Sequence, residues 1–211
     1  MLRFNNLSIG TKLGITSGIG VLLVVGMIGA LVYGNSEVKT TTEAANHQHD
    51  LIETSGLMKA SVRGMQIGVR DVRLARSPDD LKKANDYLDA RTKAADEYVE
   101  QLLKLVQTPE NRERAITIKS LVGQYRDGTK EIAALKTQIF AAEEVQAAGG
   151  ASASEATTRI GQLNDQAVSI ARGKTLPIAA TLETTIQAIV DLAKKHAATA
   201  TAAAASRWTI R

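Results

Sequence analysis

Hydrophobic positions fall into two patterns along this chain. From Leu13 to Tyr33 they are nearly continuous, 21 residues without a charge between Lys12 and Glu37. A helix rising 1.5 Å per residue needs roughly 20 such residues to cross the hydrocarbon core of a bilayer. This stretch therefore predicts a transmembrane helix. From Leu51 onward the spacing changes: Leu51, Met58, Val62, Met65, Val69 and Val72 recur at steps of three, four and seven. That is a heptad seam, which packs against other helices. A second line, Leu57, Ala60, Ile67 and Leu74, runs on another side and calls for a second neighbour.

Turn chemistry divides the remainder. Ser77-Pro78-Asp79-Asp80 and Thr108-Pro109-Glu110 each offer a capping hydroxyl, a proline at the first helical position and acids at the positive dipole end. The first helix thus runs from Asn35 to Arg76 and the second to Gln107, with a seam of Leu81, Ala84, Leu88, Ala95, Tyr98, Leu102 and Leu105 interrupted at Arg91. The third spans Pro109 to Ala147, and its seam is Ile118, Val122, Tyr125, Ile132 and Ile139. The linker Ala148–Ser154 follows, with Ser154 as the expected cap of a fourth helix from Glu155. Its seam, Ile160, Leu163, Ala167 and Ile170, resumes displaced at Leu182, Ile186, Ile189 and Ala193. Pro177 in between predicts a kink near Gly173–Pro177. Short connections make neighbouring helices antiparallel. The expected fold is all-α, an N-terminal transmembrane helix continuing into an antiparallel up-down four-helix bundle.

Charge gives the orientation. Arg3 and Lys12 precede the span without an acid, so residues 1–12 are expected in the cytoplasm, 13–33 in the membrane, and 34–211 as a bundle in the periplasm. The localisation is then the inner membrane with a single span. A cleaved signal peptide is the rival, although its apolar core is usually shorter, about 7–15 residues. Removing Arg3 and Lys12 from the 26 basic residues leaves 24 against 22 acids. Interspersed charges so nearly balanced do not suit a nucleic-acid partner. With no cysteine in the chain, disulfides and thiol chemistry are excluded.

Three features together resemble the N-terminal part of a methyl-accepting chemotaxis receptor. They are the basic head Leu7–Gly14 (LSIGTKLG) leading into the apolar run, the segment Arg70–Ala75 (RDVRLA) ending the first helix, and the span-plus-four-helix plan, which takes in essentially the whole chain. The resemblance implies a ligand-sensing periplasmic bundle that acts as a homodimer and carries signal across the membrane. It also implies a second span, a HAMP linker and a cytoplasmic coiled coil, which these 211 residues do not include. The same bundle could instead serve a histidine kinase or a cyclic-dinucleotide enzyme. A self-contained anchored bundle with a structural or partner-binding role is the alternative from another class.

Arg63, Arg70 and Arg73 are the candidate ligand-binding residues. At about 100° per residue, Arg70 lies about 20° and Arg73 about 80° from Arg63, so all three share one side. A guanidinium fork suits carboxylates and phosphates. In aspartate-sensing members of the resembled family, arginines in this part of the first helix hold ligand carboxylates across the dimer interface, but they are set closer together than the R-x6-R-x2-R spacing here. A small anionic ligand or a periplasmic binding protein is the expected partner, with Arg159, Gln162 and Gln166 at similar height. The competing reading is a solvated charged stripe paired with Asp71, Glu97 or nearby acids. His47, His49 and His196 fall at comparable height, but residues two apart on a helix point about 200° from each other. Only two of the three can converge, as with His47 and His196, too few for an ordinary zinc site, so no metal is expected. No catalytic constellation, phosphate-binding glycine loop or cofactor motif is present, and an enzyme is not expected.

Overall fold

The computed structural model describes residues 8–208; Arg3 and the terminal Thr209–Arg211 lie outside the described residues. Among those described the chain is all-α, with no strand. We number the helices α1 (Ile9–Leu74), α2 (Pro78–Leu105), α3 (Pro109–Ala148), α4 (Ala153–Ile170) and α5 (Leu176–Trp208), with a π turn at Ala171–Thr175 joining the last two. The chain divides into two compact units, residues 1–47 and 48–211.

In the first unit, the side chains described between Leu13 and Gly34 are exposed, and this stretch of α1 is long and apolar enough to cross a membrane. The second unit also contains a segment that meets that test by length and composition, Ala153–Thr199. About a third of its apolar window is buried, because its large side chains help form the core of the unit.

That core is built from the anticipated seams. Leu51, Met58, Val62, Met65, Val69 and Val72 of α1 are all buried, as are Ile118, Val122, Tyr125 and Ile132 of α3 and Leu182, Ile186 and Ile189 of α5. In α2 the seam differs from expectation. Thr92 and Val99 occupy the core, while Tyr98 and Leu105 are half-buried. The seam steps past Arg91 because Thr92 hides its hydroxyl by donating to the Leu88 carbonyl, 2.9 Å away.

Close approach between α1 and α2 depends on two glycines. A Cβ on Gly68 would lie 3.0–3.3 Å from Leu88, including its Cα, and one on Gly64 would meet the Arg91 stem at 2.7 Å. Gly56 has open space around it. Contacts between helices follow a consistent register. Lys59 and Arg63 of α1 meet Gln187 and Glu183 of α5, and Asp96 of α2 meets Arg126 of α3. Glu131 of α3 meets Lys174 in the π turn.

Both start signals form as expected. Ser77 Oγ accepts the Asp80 amide at 3.1 Å, Thr108 Oγ1 accepts the Asn111 amide at 3.3 Å, and a proline follows each cap. The start of α4 is different: Ser152 holds the cap position and makes no side-chain cap bond, so Ser154 is already inside the helix. Gly149 and Gly150, at φ 75° and 84°, turn the chain where other residues would be strained.

One correction concerns the helix count. The expected single fourth helix is two, α4 and α5, and the interruption takes the form of a π turn. The Leu176 amide reaches back five residues to the Ala171 carbonyl. Pro177 has no N–H to return, and its ring crowds the carbonyl four residues earlier, so a wider turn just before it suits the ring. Gly128 of α3 leaves room for this turn, since a Cβ there would stand 2.9 Å from Thr175 Cγ2.

Candidate functional site

The outward face of α1 in the second unit is built from two interleaved sets. Leu57, Ile67 and Leu74 are 42%, 43% and 66% exposed, and Arg63 and Arg70 lie between them on the same exposed side. Among the described residues the second apolar line is thus only partly covered. The helix turns both sets outward because the six seam residues occupy the opposite face.

Each arginine on this face has a nearby acid. Arg63 Nε lies 3.9 Å from Glu183 Oε1 on α5. Arg70 donates from Nε and Nη2 to Asp71 Oδ1, at 3.2 and 3.1 Å. Both arginine side chains are mostly exposed and their acids partly so, and pairs of this kind are worth about 0–1 kcal/mol in water. The guanidinium groups are held loosely, so an incoming carboxylate competes with a weak partner. Arg73 is half-buried in the last turn of α1, where a cation suits the negative dipole end.

The remaining candidates are dispersed. Arg159 donates to Gln138 of α3 at 3.4 Å, and Gln166 lines a groove between α3 and α4 with Leu135 and Gln138. The α1 register, by contrast, runs to Glu183 and Gln187. The structure thus does not gather Arg159, Gln162 and Gln166 beside Arg63. His49 Nε2 lies 3.9 Å from Glu53, one turn along its own helix, and His196 is exposed on α5. His47 is half-buried in the first unit. Among the described residues, no three His, Cys, Asp or Glu side chains converge as metal ligands.

Two features were not apparent from the sequence. The first is an open cleft where α1 ends and α2 begins, lined by Asp71, Leu74, Arg76, Asp80, Lys83 and Tyr87. The paired capping signals place such a cleft at the turn, but they do not give its mixture of charges. The second is the Arg126 to Asp96 pair, in which Nη2 donates to both carboxylate oxygens at 2.9 and 2.6 Å. Its members are 30 residues apart, so no local spacing announces it. Arg91 was read only as a break in a seam. Its guanidinium carbon lies 5.0 Å from the centre of the Tyr87 ring, and its stem covers Gly64.

Among the described residues, two ionisations are displaced. Asp86 accepts a hydrogen bond from Lys82 and raises its pKa. Burial of Tyr125 disfavours the phenolate and raises its pKa well above the ordinary range. Compared with protein-family models, with curated proteins and with solved structures, the chain finds no match.

Proposed function

We propose that this chain is the ligand-sensing, membrane-anchored part of a bacterial chemotaxis receptor, working by binding and conformational change without catalysis. One observation carries the reading. A single helix, α1, contains both the exposed charge-free stretch Leu13–Gly34 and the buried heptad seam Leu51–Val72. A binding unit that must inform the other side of a membrane needs such an element. On this reading Leu13–Gly34 is an inner-membrane span, and residues 48–211 form an antiparallel four-helix bundle in the periplasm, with α4 and α5 together as its fourth member. The register of the α1–α5 and α2–α3 pairs supports that topology.

The functional form is a homodimer. Leu57, Ile67 and Leu74 form an apolar line that the described residues leave partly exposed, and a second copy would cover it. Arg63 and Arg70 then lie at the dimer seam, where less water strengthens their attraction for a small anion. A ligand carboxylate would replace Asp71 at Arg70.

The test is a chimera in which residues 1–211 are joined to the second span and signalling region of a chemotaxis receptor. Kinase output is measured against a panel of small carboxylates and phosphates. At least one anion is expected to change it, and Arg63→Ala with Arg70→Ala is expected to abolish the response. A correctly inserted chimera that ignores the whole panel, presented both free and on periplasmic binding proteins, would refute the reading.

A further inference from the structure

Cations and apolar side chains alternate along the outward stripe of α1. Arg63, Ile67, Arg70 and Leu74 follow one another at steps of four, three and four, and all are exposed. At about 100° per residue the four fall within about 60° of each other, so they make one line up the helix. Arg63 and Arg70 are seven residues apart, about 10.5 Å along the axis. Ile67, 43% exposed, stands between them.

The acids beside the arginines do not fill this interval. Glu183 approaches Arg63 from α5, and Asp71 is the chain neighbour of Arg70, about 100° further round the helix. The stripe thus offers two cations with an apolar floor between them. We propose that its ligand is an elongated aliphatic α,ω-dicarboxylate, with one carboxylate on Arg63, the other on Arg70, and the methylene chain lying along Ile67. That class refines the proposed anion-sensing role and rests on it.

Length decides against a compact dianion. Carbon–carbon bonds of about 1.5 Å leave the carboxylates of a four-carbon diacid at most about 4 Å apart, too close to meet both arginines where they stand. Drawing the two forks together over such a ligand would lay its charges on Ile67, where they are poorly solvated. An extended chain advances about 1.2 Å per bond, so a diacid of about nine carbons spans about 10 Å. Its methylenes would lie between Ile67 and the facing helix of a second copy, and each one buried is worth about fourfold in affinity. Charge decides against phosphate ends. Glu183 and Asp71 stay close to the arginines, and a phosphate carrying about −1.5 to −2 is repelled by them more than a carboxylate is.

The test titrates the full chain in lipid nanodiscs with the diacid series from malonate to dodecanedioate, using calorimetry with empty nanodiscs as the blank. Affinity is expected to peak near azelate, at least about tenfold above succinate, and monomethyl azelate, with one charged end, should bind about tenfold more weakly than azelate. Ile67→Gln should remove most of the advantage of azelate while leaving succinate binding unchanged. Arg70→Ala with Ile67→Arg sets the cations four residues apart, about 6 Å, and should move the optimum to a shorter diacid near adipate.

Succinate binding as tightly as azelate, with both dependent on Arg63 and Arg70, overturns the diacid proposal and leaves the anion site standing. An optimum that stays at azelate in the variant with the closer cations also overturns it. A chain that binds no diacid, or binds them equally well after Arg63→Ala with Arg70→Ala, overturns the diacid proposal and the anion site together.

Discussion

Gly56, Gly64 and Gly68 are chemically identical and lie on one helix, yet their surroundings make them respond differently to the same methyl group. At Gly56 an added Cβ meets open space, and alanine is the better helix former by about 1 kcal/mol, so Gly56→Ala should stabilise the second unit by about 0.5–1 kcal/mol. At Gly68 the methyl presses against the Leu88 backbone, an overpacking cost of about 1–3 kcal/mol that cancels or exceeds the propensity gain. Gly68→Ala should therefore be neutral to destabilising. Urea unfolding of the two variants beside the parent decides it, and equal shifts would refute the account of α1–α2 packing. Sequence alone marks all three glycines as unfavourable in a helix; which of them a neighbour occupies is a tertiary fact.

Tyr125 carries the clearest dependence on pH. Its phenol is buried and stays protonated in the folded state, whereas in the unfolded chain it ionises near pH 10. A folded pKa raised in this way gives stability that is complete below pH 10 and is lost as pH rises beyond it. The slope should approach about 1.4 kcal/mol per pH unit from this one group. Tyr125→Phe should remove that slope while leaving lysine and other tyrosine titrations in place. Unfolding midpoints between pH 9 and 11 would show it, and parallel curves for the two proteins would refute it.

Among the elements, the starts of α2 and α3 were the most legible features. Ser77 and Thr108 cap as their sequences suggest because a cap is a local arrangement completed within four residues. Replacing Ser77 with alanine should cost about 1 kcal/mol and Ser152→Ala close to nothing, since Ser152 makes no side-chain cap bond. Thermal melts of both variants test this, and a loss at Ser152 equal to that at Ser77 would count against it. The seams of α1, α3 and α5 were legible for a related reason, because a heptad is periodic and large side chains mark it. Where small residues fill the seam, periodicity lost its force. Thr92 and Thr175 are core positions that hydropathy does not favour, and at Thr92 the α2 seam was therefore placed partly on the wrong residues. The π turn escaped as well, because Pro177 announces a disturbance without saying how the backbone will accommodate it. The candidate site was legible only in part. The common side of Arg63 and Arg70 followed from helical geometry, but their pairing with Glu183 and Asp71 depends on side-chain placement across and along helices.

At the scale of the whole molecule, the two units differ in what keeps them folded. The backbone groups of Leu13–Gly34 are satisfied within the helix, so this stretch needs no tertiary partner in a bilayer. Residues 48–211 hold a continuous core from Leu51 to Ala193, contributed by every helix of that unit. A single continuous core, in a unit only slightly longer than the roughly 150 residues below which two-state unfolding is usual, is expected to unfold as one cooperative transition. A fragment of residues 48–211 should therefore remain helical in detergent-free buffer and melt cooperatively. Leu182→Ala, which empties a fully buried position of α5, should destabilise it by about 2–5 kcal/mol. Circular dichroism and urea unfolding of the fragment provide the measurement. A sloping, non-cooperative transition would mean that the core of residues 48–211 is not sufficient on its own. A cooperative transition unaffected by Leu182→Ala would instead place the stabilising contacts outside the seam that joins α5 to the other helices. The expected result, cooperative melting with a large Leu182 effect, would make α5 an integral part of that core, as its buried leucine and isoleucines imply.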